Sequence, residues 1–131
     1  MDVFDMDGNF LSRFAANAPG AGPLANPWGI ARAPSDFGRF SNALLIGNVE
    51  DGRINAFDPE TGNFLGTLSG LDGAPIVIPG LWDLAFGGGS KNNGKKTNEL
   101  FFTAGLTASV FYGNGLFGSI SPVGESTEKG R

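Results

Sequence analysis

The sequence contains no His and no Cys, so its chemistry must come mainly from carboxylates, amides and hydroxyls. The usual general base of a serine hydrolase is missing, as is the commonest ligand for zinc, copper and iron. Cysteine nucleophiles and disulfides are missing too. Oxygen ligands remain. Asp5-Met6-Asp7-Gly8-Asn9 looks like the start of a calcium loop, since calcium takes clustered carboxylate and amide oxygens. An EF-hand loop beginning at Asp5 would need Gly and Glu where the sequence has Phe10 and Ala16. The motif therefore fails. The same residues suit a β-turn, where backbone geometry favours Asp, Gly and Asn.

Gly89-Ser90-Lys91-Asn92-Asn93-Gly94-Lys95-Lys96 nearly spells a phosphate-binding loop. Lys96 stands where magnesium needs Ser or Thr, and the following residues lead into a strand instead of a helix. A long solvated hairpin loop is the simpler reading. Glu50-Asp51 and Asp83 are the carboxylates nearest to strand ends. An acid–base pair can be drawn on paper, but neighbouring carboxylates in turns are usually just solvated. No catalytic residue is expected from these patterns.

With 9 basic and 13 acidic residues the net charge is −4, which argues against nucleic acid or anionic lipid as a partner. No stretch is long and apolar enough to span a membrane. Met1-Asp2-Val3-Phe4-Asp5 has no basic region followed by an apolar run, so no signal peptide is expected there.

The elements that position these residues come from an internal repeat. Val3 to Leu11 resembles Ala56 to Leu65, Pro27-Trp28-Gly29-Ile30-Ala31 resembles Leu81-Trp82-Asp83-Leu84-Ala85, and Asn42 to Ile46 resembles Asn98 to Phe102. The three matches fall in the same order at offsets of 53 to 56 residues, which marks a duplication. The 22 Gly and 8 Pro among 131 residues suit short strands joined by turns. One period predicts four strands, at Gly29 to Ala33, Ala43 to Asn48, Arg53 to Asp58 and Asn63 to Leu68. Leu44-Leu45-Ile46 and Leu100-Phe101-Phe102 are continuous apolar runs, as expected of sheets covered on both faces. Asp58-Pro59-Glu60-Thr61-Gly62 and Glu50-Asp51-Gly52 carry hairpin signals. Trp28 and Trp82 hold equivalent positions, which points to buried packing.

A four-stranded repeat of this size predicts an all-β fold made of β-propeller blades. Residues 1–14 would supply two strands of one blade, 28–68 a full blade, and 82–120 three strands of a third. That is about two and a quarter blades, while closed propellers have roughly four to eight. The chain is expected to be part of a larger propeller or to close a ring with copies of itself. The tail over 121–131 is expected to be polar and flexible.

Asn26 to Ala31, Leu44 to Asn48 and Gly52 to Asp58 together resemble an NHL-type propeller repeat. Asn55-Ala56-Phe57-Asp58-Pro59, Gly80 to Gly87, Leu100 to Gly105 and Gly115 to Ile120 resemble an uncharacterised family of secreted bacterial proteins, some with a PEP-CTERM sorting tail. The resemblance implies an extracellular location and transfers no catalytic residue. The family suggests a more polar hairpin between Gly105 and Gly115 than Leu106 to Asn114 provides.

Three functions compete. The first is a non-enzymatic binding or interaction domain for a protein or small-molecule ligand, with no cofactor. The second is a lactonase- or lyase-like enzyme with calcium in a propeller channel, drawing on Asp5, Asp7, Asn48, Asp58 and Asp83 for oxygen. The third is an inactive fragment of a larger propeller.

Overall fold

Among the described residues, turn residues cut the chain into nine short strands, none longer than six residues. A computed structural model describes residues 1–16, 22–92, 96–105 and 115–123. β1 (Asp2–Phe4) and β2 (Phe10–Arg13) form a first sheet. β3 (Pro27–Arg32), β4 (Leu44–Asn48), β5 (Ile54–Phe57) and β6 (Phe64–Thr67) form a second, in that order. β7 (Leu81–Phe86), β8 (Leu100–Gly105) and β9 (Gly115–Ile120) form a third. All neighbouring strands are antiparallel. The protein is all-β, and a single 3-10 turn at Gly38–Phe40 is the one helical element among the described residues. The strands of the second sheet lie within two residues of their expected ends. Among the described residues the three sheets do not close into a ring. Residues 106–114 and 124–131, which carry the expected hairpin and most of the tail, lie outside the described residues.

The repeat extends to the backbone. The β1–β2 and β5–β6 hairpins turn at Asp5 and Asp58, with Gly8 and Gly62 both at positive φ. The second turn is one residue longer, so Asp5 N–H donates to the Asn9 carbonyl and Asp58 N–H to that of Asn63. Pairing slips just after each hairpin closes, and Phe4 faces Phe10 as Phe57 faces Phe64. The ring centroids are 5.8 and 5.7 Å apart. β3 and β7 carry the same irregularity, between Pro27 and Ile30 and between Leu81 and Leu84. The residue ahead of each, Asn26 or Gly80, takes a left-handed conformation.

The main core lies between the second and third sheets. Leu45, Ile54 and Ala56 meet Leu81, Leu84 and Leu100, all buried. A smaller cluster joins the first sheet to the second through Ala15, Ile46 and Phe57, with Met1, Phe14, Leu24 and Leu44 around it. Leu45 and Ile46 are adjacent and both fully buried, because β4 is covered on both faces. Each such side chain contributes about 1.5–3 kcal/mol on burial.

The tryptophans do not follow the expected burial. Trp28 and Trp82 remain 59% and 49% exposed. They pack on each other, with ring centroids 4.9 Å apart and planes 28° from parallel. Each Trp lies within the stretch where the pairing of its strand is irregular.

Candidate functional site

The polar groups with the deepest burial stand where β4 meets β5. Asn48 and Asn55 are the two buried polar residues among those described. Asn55 sits between Ile54 and Ala56 in the middle of a buried strand, and antiparallel pairing brings it beside the end of β4. Both side-chain amides donate to the carbonyl of Pro23, Asn48 at 2.8 Å. The Thr67 hydroxyl donates to Asn55 Oδ1 at 2.7 Å. The network ties the loop ahead of β3 to three strands of the second sheet. Asn48 Oδ1 is buried with no partner among the described residues. Buried amides need such partners, because an unpaired one costs about 1–3 kcal/mol. The signal for Asn55 was a lone amide inside an apolar run, which sequence reasoning passed over.

The five candidate calcium ligands are not brought together. Asp5 and Asp7 lie in the first hairpin, Asp58 in the matching hairpin of the second sheet, Asn48 at the end of β4 and Asp83 in β7. Among the described residues no three or more acidic groups stand close enough to share a metal ion. Asp5 accepts from the side-chain amide of Asn9 at 3.0 Å and from the backbone N–H groups of Asn9 and Asp7. Asp58 accepts from the N–H groups of Glu60 and Thr61 at 2.9 and 2.8 Å. Asp83 Oδ1 accepts from the N–H of Leu84 at 2.9 Å. Asp51 accepts from Arg53 N–H, and Glu50 from the Asn26 side chain. These carboxylates cap turns and strands. In the glycine-lysine loop, residues 93–95 lie outside the described residues.

Turn capping has a pH signature. Asp5 is held below the ordinary value of 3.8 by its bonds from Asn9. Asp58 is held below it by the N–H groups of Thr61 and Glu60. A carboxyl with a depressed folded pKa stabilises the fold above its unfolded pKa, and that stabilisation is lost as pH falls through the folded value. Asp58→Asn is therefore expected to lower the melting temperature at neutral pH and to flatten its decline below about pH 4. Melting curves from pH 7 to pH 2 check this. An unchanged acid limb in the variant would remove Asp58 from the account.

Two features of the surface are more open to partners. A cleft of about 220 Å³ between the second and third sheets is lined by Phe37, Phe40, Leu68, Ile76, Ile120 and Pro122 among others. On the far side of the third sheet, Phe101 and Phe117 stack with centroids 5.5 Å apart. A shallow apolar hollow of about 90 Å³ lies beside them. No helix among the described residues is long and apolar enough to cross a membrane.

Comparison with known proteins corrects the family resemblance. No family model matches the chain, NHL-type or otherwise, and no solved structure matches it. An uncharacterised protein of Acanthamoeba polyphaga mimivirus is 38% identical over 120 residues, covering 92% of this chain and 26% of that protein. A second uncharacterised protein of the same virus is 41% identical over 85 residues, covering 65% of this chain and 21% of its own length. A third is 33% identical over 81 residues, or 62% and 14%. The relatives are viral, so the secreted bacterial family with its PEP-CTERM tails is the wrong assignment. The strand and turn motifs that suggested it are short, and turn residues such as Asp, Gly and Asn are favoured by backbone geometry in any β-turn. The extracellular location rested on that family alone and loses its support. The chain is similar to segments of uncharacterised mimivirus proteins, and it spans about a quarter of the length of the first of them.

Proposed function

We propose that this chain is a non-enzymatic interaction module, a run of consecutive blades from a larger β-propeller. The observation that carries this reading is the repeated use of one packing scheme. The second sheet meets the first through one face and the third through the other; its β5–β6 hairpin matches that of the first sheet, and its β3 irregularity and left-handed residue match those of β7 in the third. Sheets stacked in this way bury their faces only against neighbours. The length of a relative agrees. If 120 residues are 26% of the first mimivirus protein, it has about 460 residues, room for about eight such repeats and so for one ring. The non-enzymatic half of the reading rests on the carboxylates, which are taken up by backbone N–H groups at separate places, Asp5 and Asp58 in turns and Asp83 in β7.

Calcium separates this module from a calcium-dependent propeller enzyme. The purified chain is expected to unfold cooperatively, with a melting temperature that millimolar calcium leaves within about 1 °C. A ligand at a hundred times its dissociation constant adds about 2.7 kcal/mol, several degrees for a domain of this size. A shift of that size would replace the interaction module by the calcium-bound reading. An unfolded chain by circular dichroism would make it an inactive fragment.

A further inference from the structure

The repeat changes side-chain size at one place, and the cleft between the second and third sheets opens there. Leu44 stands opposite Phe57, and its equivalent Leu100 stands opposite Ile120. Ile120 therefore takes the place of Phe57. Arg13 stands opposite Asp2, and Thr67 opposite Asn55. Leu68, the next residue, therefore takes the place of Phe14. Between the first and second sheets the two Phe rings meet, with centroids 6.4 Å apart. Between the second and third, Leu68 and Ile120 line an open cleft of about 220 Å³ instead. Its walls come from two sheets that already pack on each other, so it is not an outer face of the molecule.

Among the described residues, Arg39 is the one charged side chain that lines this cleft. Its guanidinium carbon stands 5.1 Å from the centre of the Phe40 ring. Arg13 with Asp2 is the one ion pair among the described residues, so Arg39 has no carboxylate partner there. Asp36, three residues earlier, lines an adjoining hollow instead. A guanidinium that sits over a ring still has N–H donors for a carboxylate. The hydroxyl of Ser121 also lines the cleft and offers a further donor. An apolar cavity of about 150 Å³ is enough to take benzene. The cleft therefore has room for an aromatic ring with a short acidic arm. We propose that it binds a small aromatic carboxylate, with the ring among Phe37, Phe40, Leu68 and Ile120 and the carboxylate on Arg39. The site goes beyond the module reading, since the residues that line it belong to this chain whether or not its sheets join a ring.

Phenylacetate and its uncharged analogue phenylacetamide test this, titrated into the isotopically labelled chain and followed by two-dimensional NMR. Phenylacetate is expected to shift the amide signals of Phe37 to Phe40, Leu68, Ser69 and Ile120, with a dissociation constant on the order of 1 mM or below. Arg39→Gln should weaken phenylacetate about threefold to tenfold and phenylacetamide by less than about twofold. Ile120→Phe restores the ring that Phe57 supplies at the other boundary, and should weaken both probes by about tenfold or more. Arg39 is exposed, so Arg39→Gln should keep the melting curve of the parent and decides the matter even if Ile120→Phe does not fold. Octanoate carries the same charge without a ring and should bind more weakly than phenylacetate. A folded chain with no shifts up to about 10 mM phenylacetate, or with shifts centred on Trp28 and Trp82 or on Phe101 and Phe117, would overturn the proposal and leave the module reading intact. So would an equal loss of both probes in Arg39→Gln, or tighter binding of octanoate. An unfolded chain would remove both.

Discussion

Phe57→Ala should cost about 3–5 kcal/mol of folding stability, whereas Phe4→Ala, at the equivalent place in the repeat, should cost less than about 1 kcal/mol. The two residues share a sequence context, a strand register and a ring partner. They differ in what lies above them. Phe57 is 2% exposed beneath Phe14 and Ala15, and Phe4 is 55% exposed. Removing Phe57 forfeits the transfer free energy of a ring and leaves a cavity between two sheets. Removing Phe4 takes away a side chain that is already half in water. Urea denaturation measures both, and the midpoints are compared at a common slope. Equal losses would mean that Phe4 is buried to the same degree as Phe57. Equal but small losses would mean that the first and second sheets do not pack as described.

Much of the strand pattern was legible because its causes are local. Asp58-Pro59-Glu60-Thr61-Gly62 specifies a hairpin through fixed φ angles and a carboxylate that captures two N–H groups. Leu44-Leu45-Ile46 specifies a strand covered on both faces, and the structure buries Leu45 and Ile46 completely. What was not legible depends on residues far apart in the chain. The carbonyl that holds Asn48 and Asn55 belongs to Pro23, 25 and 32 residues away, and no spacing rule connects them. Trp28 and Trp82 were placed in the core by size and equivalence. Both lie at an irregular pairing between two strands, and the sequence of one strand does not encode it. The calcium candidates were chosen by residue type, and type does not say that backbone N–H groups reach Asp5 and Asp58 first.

The entry to β7 shows how sharply a repeat position can be constrained, and Gly80→Ala is the substitution that exposes it. Gly80 has a φ of 69°, where a Cβ costs roughly 1–2 kcal/mol. A Cβ built there would also overlap the carbonyl oxygen of Gly105, so β8 must move. Overpacking of this kind costs about 1–3 kcal/mol more, and the Gly105 N–H bond to the Gly80 carbonyl at 2.9 Å is put at risk. The expected loss is about 2–5 kcal/mol. Gly8→Ala is the control. Its φ is 87° and a Cβ there meets nothing within 4 Å, so only the conformational part applies. Thermal unfolding of the two variants should show a drop for Gly80→Ala at least twice that for Gly8→Ala. The equivalent of Gly80 is Asn26, also left-handed at a φ of 50° and bonded through its carbonyl to Val49 N–H. Asn tolerates that region better than most residues with a side chain. Gly80→Asn should therefore recover part of the conformational loss and none of the collision, falling between the control and Gly80→Ala. Recovery to the level of the control would mean that β8 yields freely at Gly105, and that the left-handed turn alone sets the requirement for glycine.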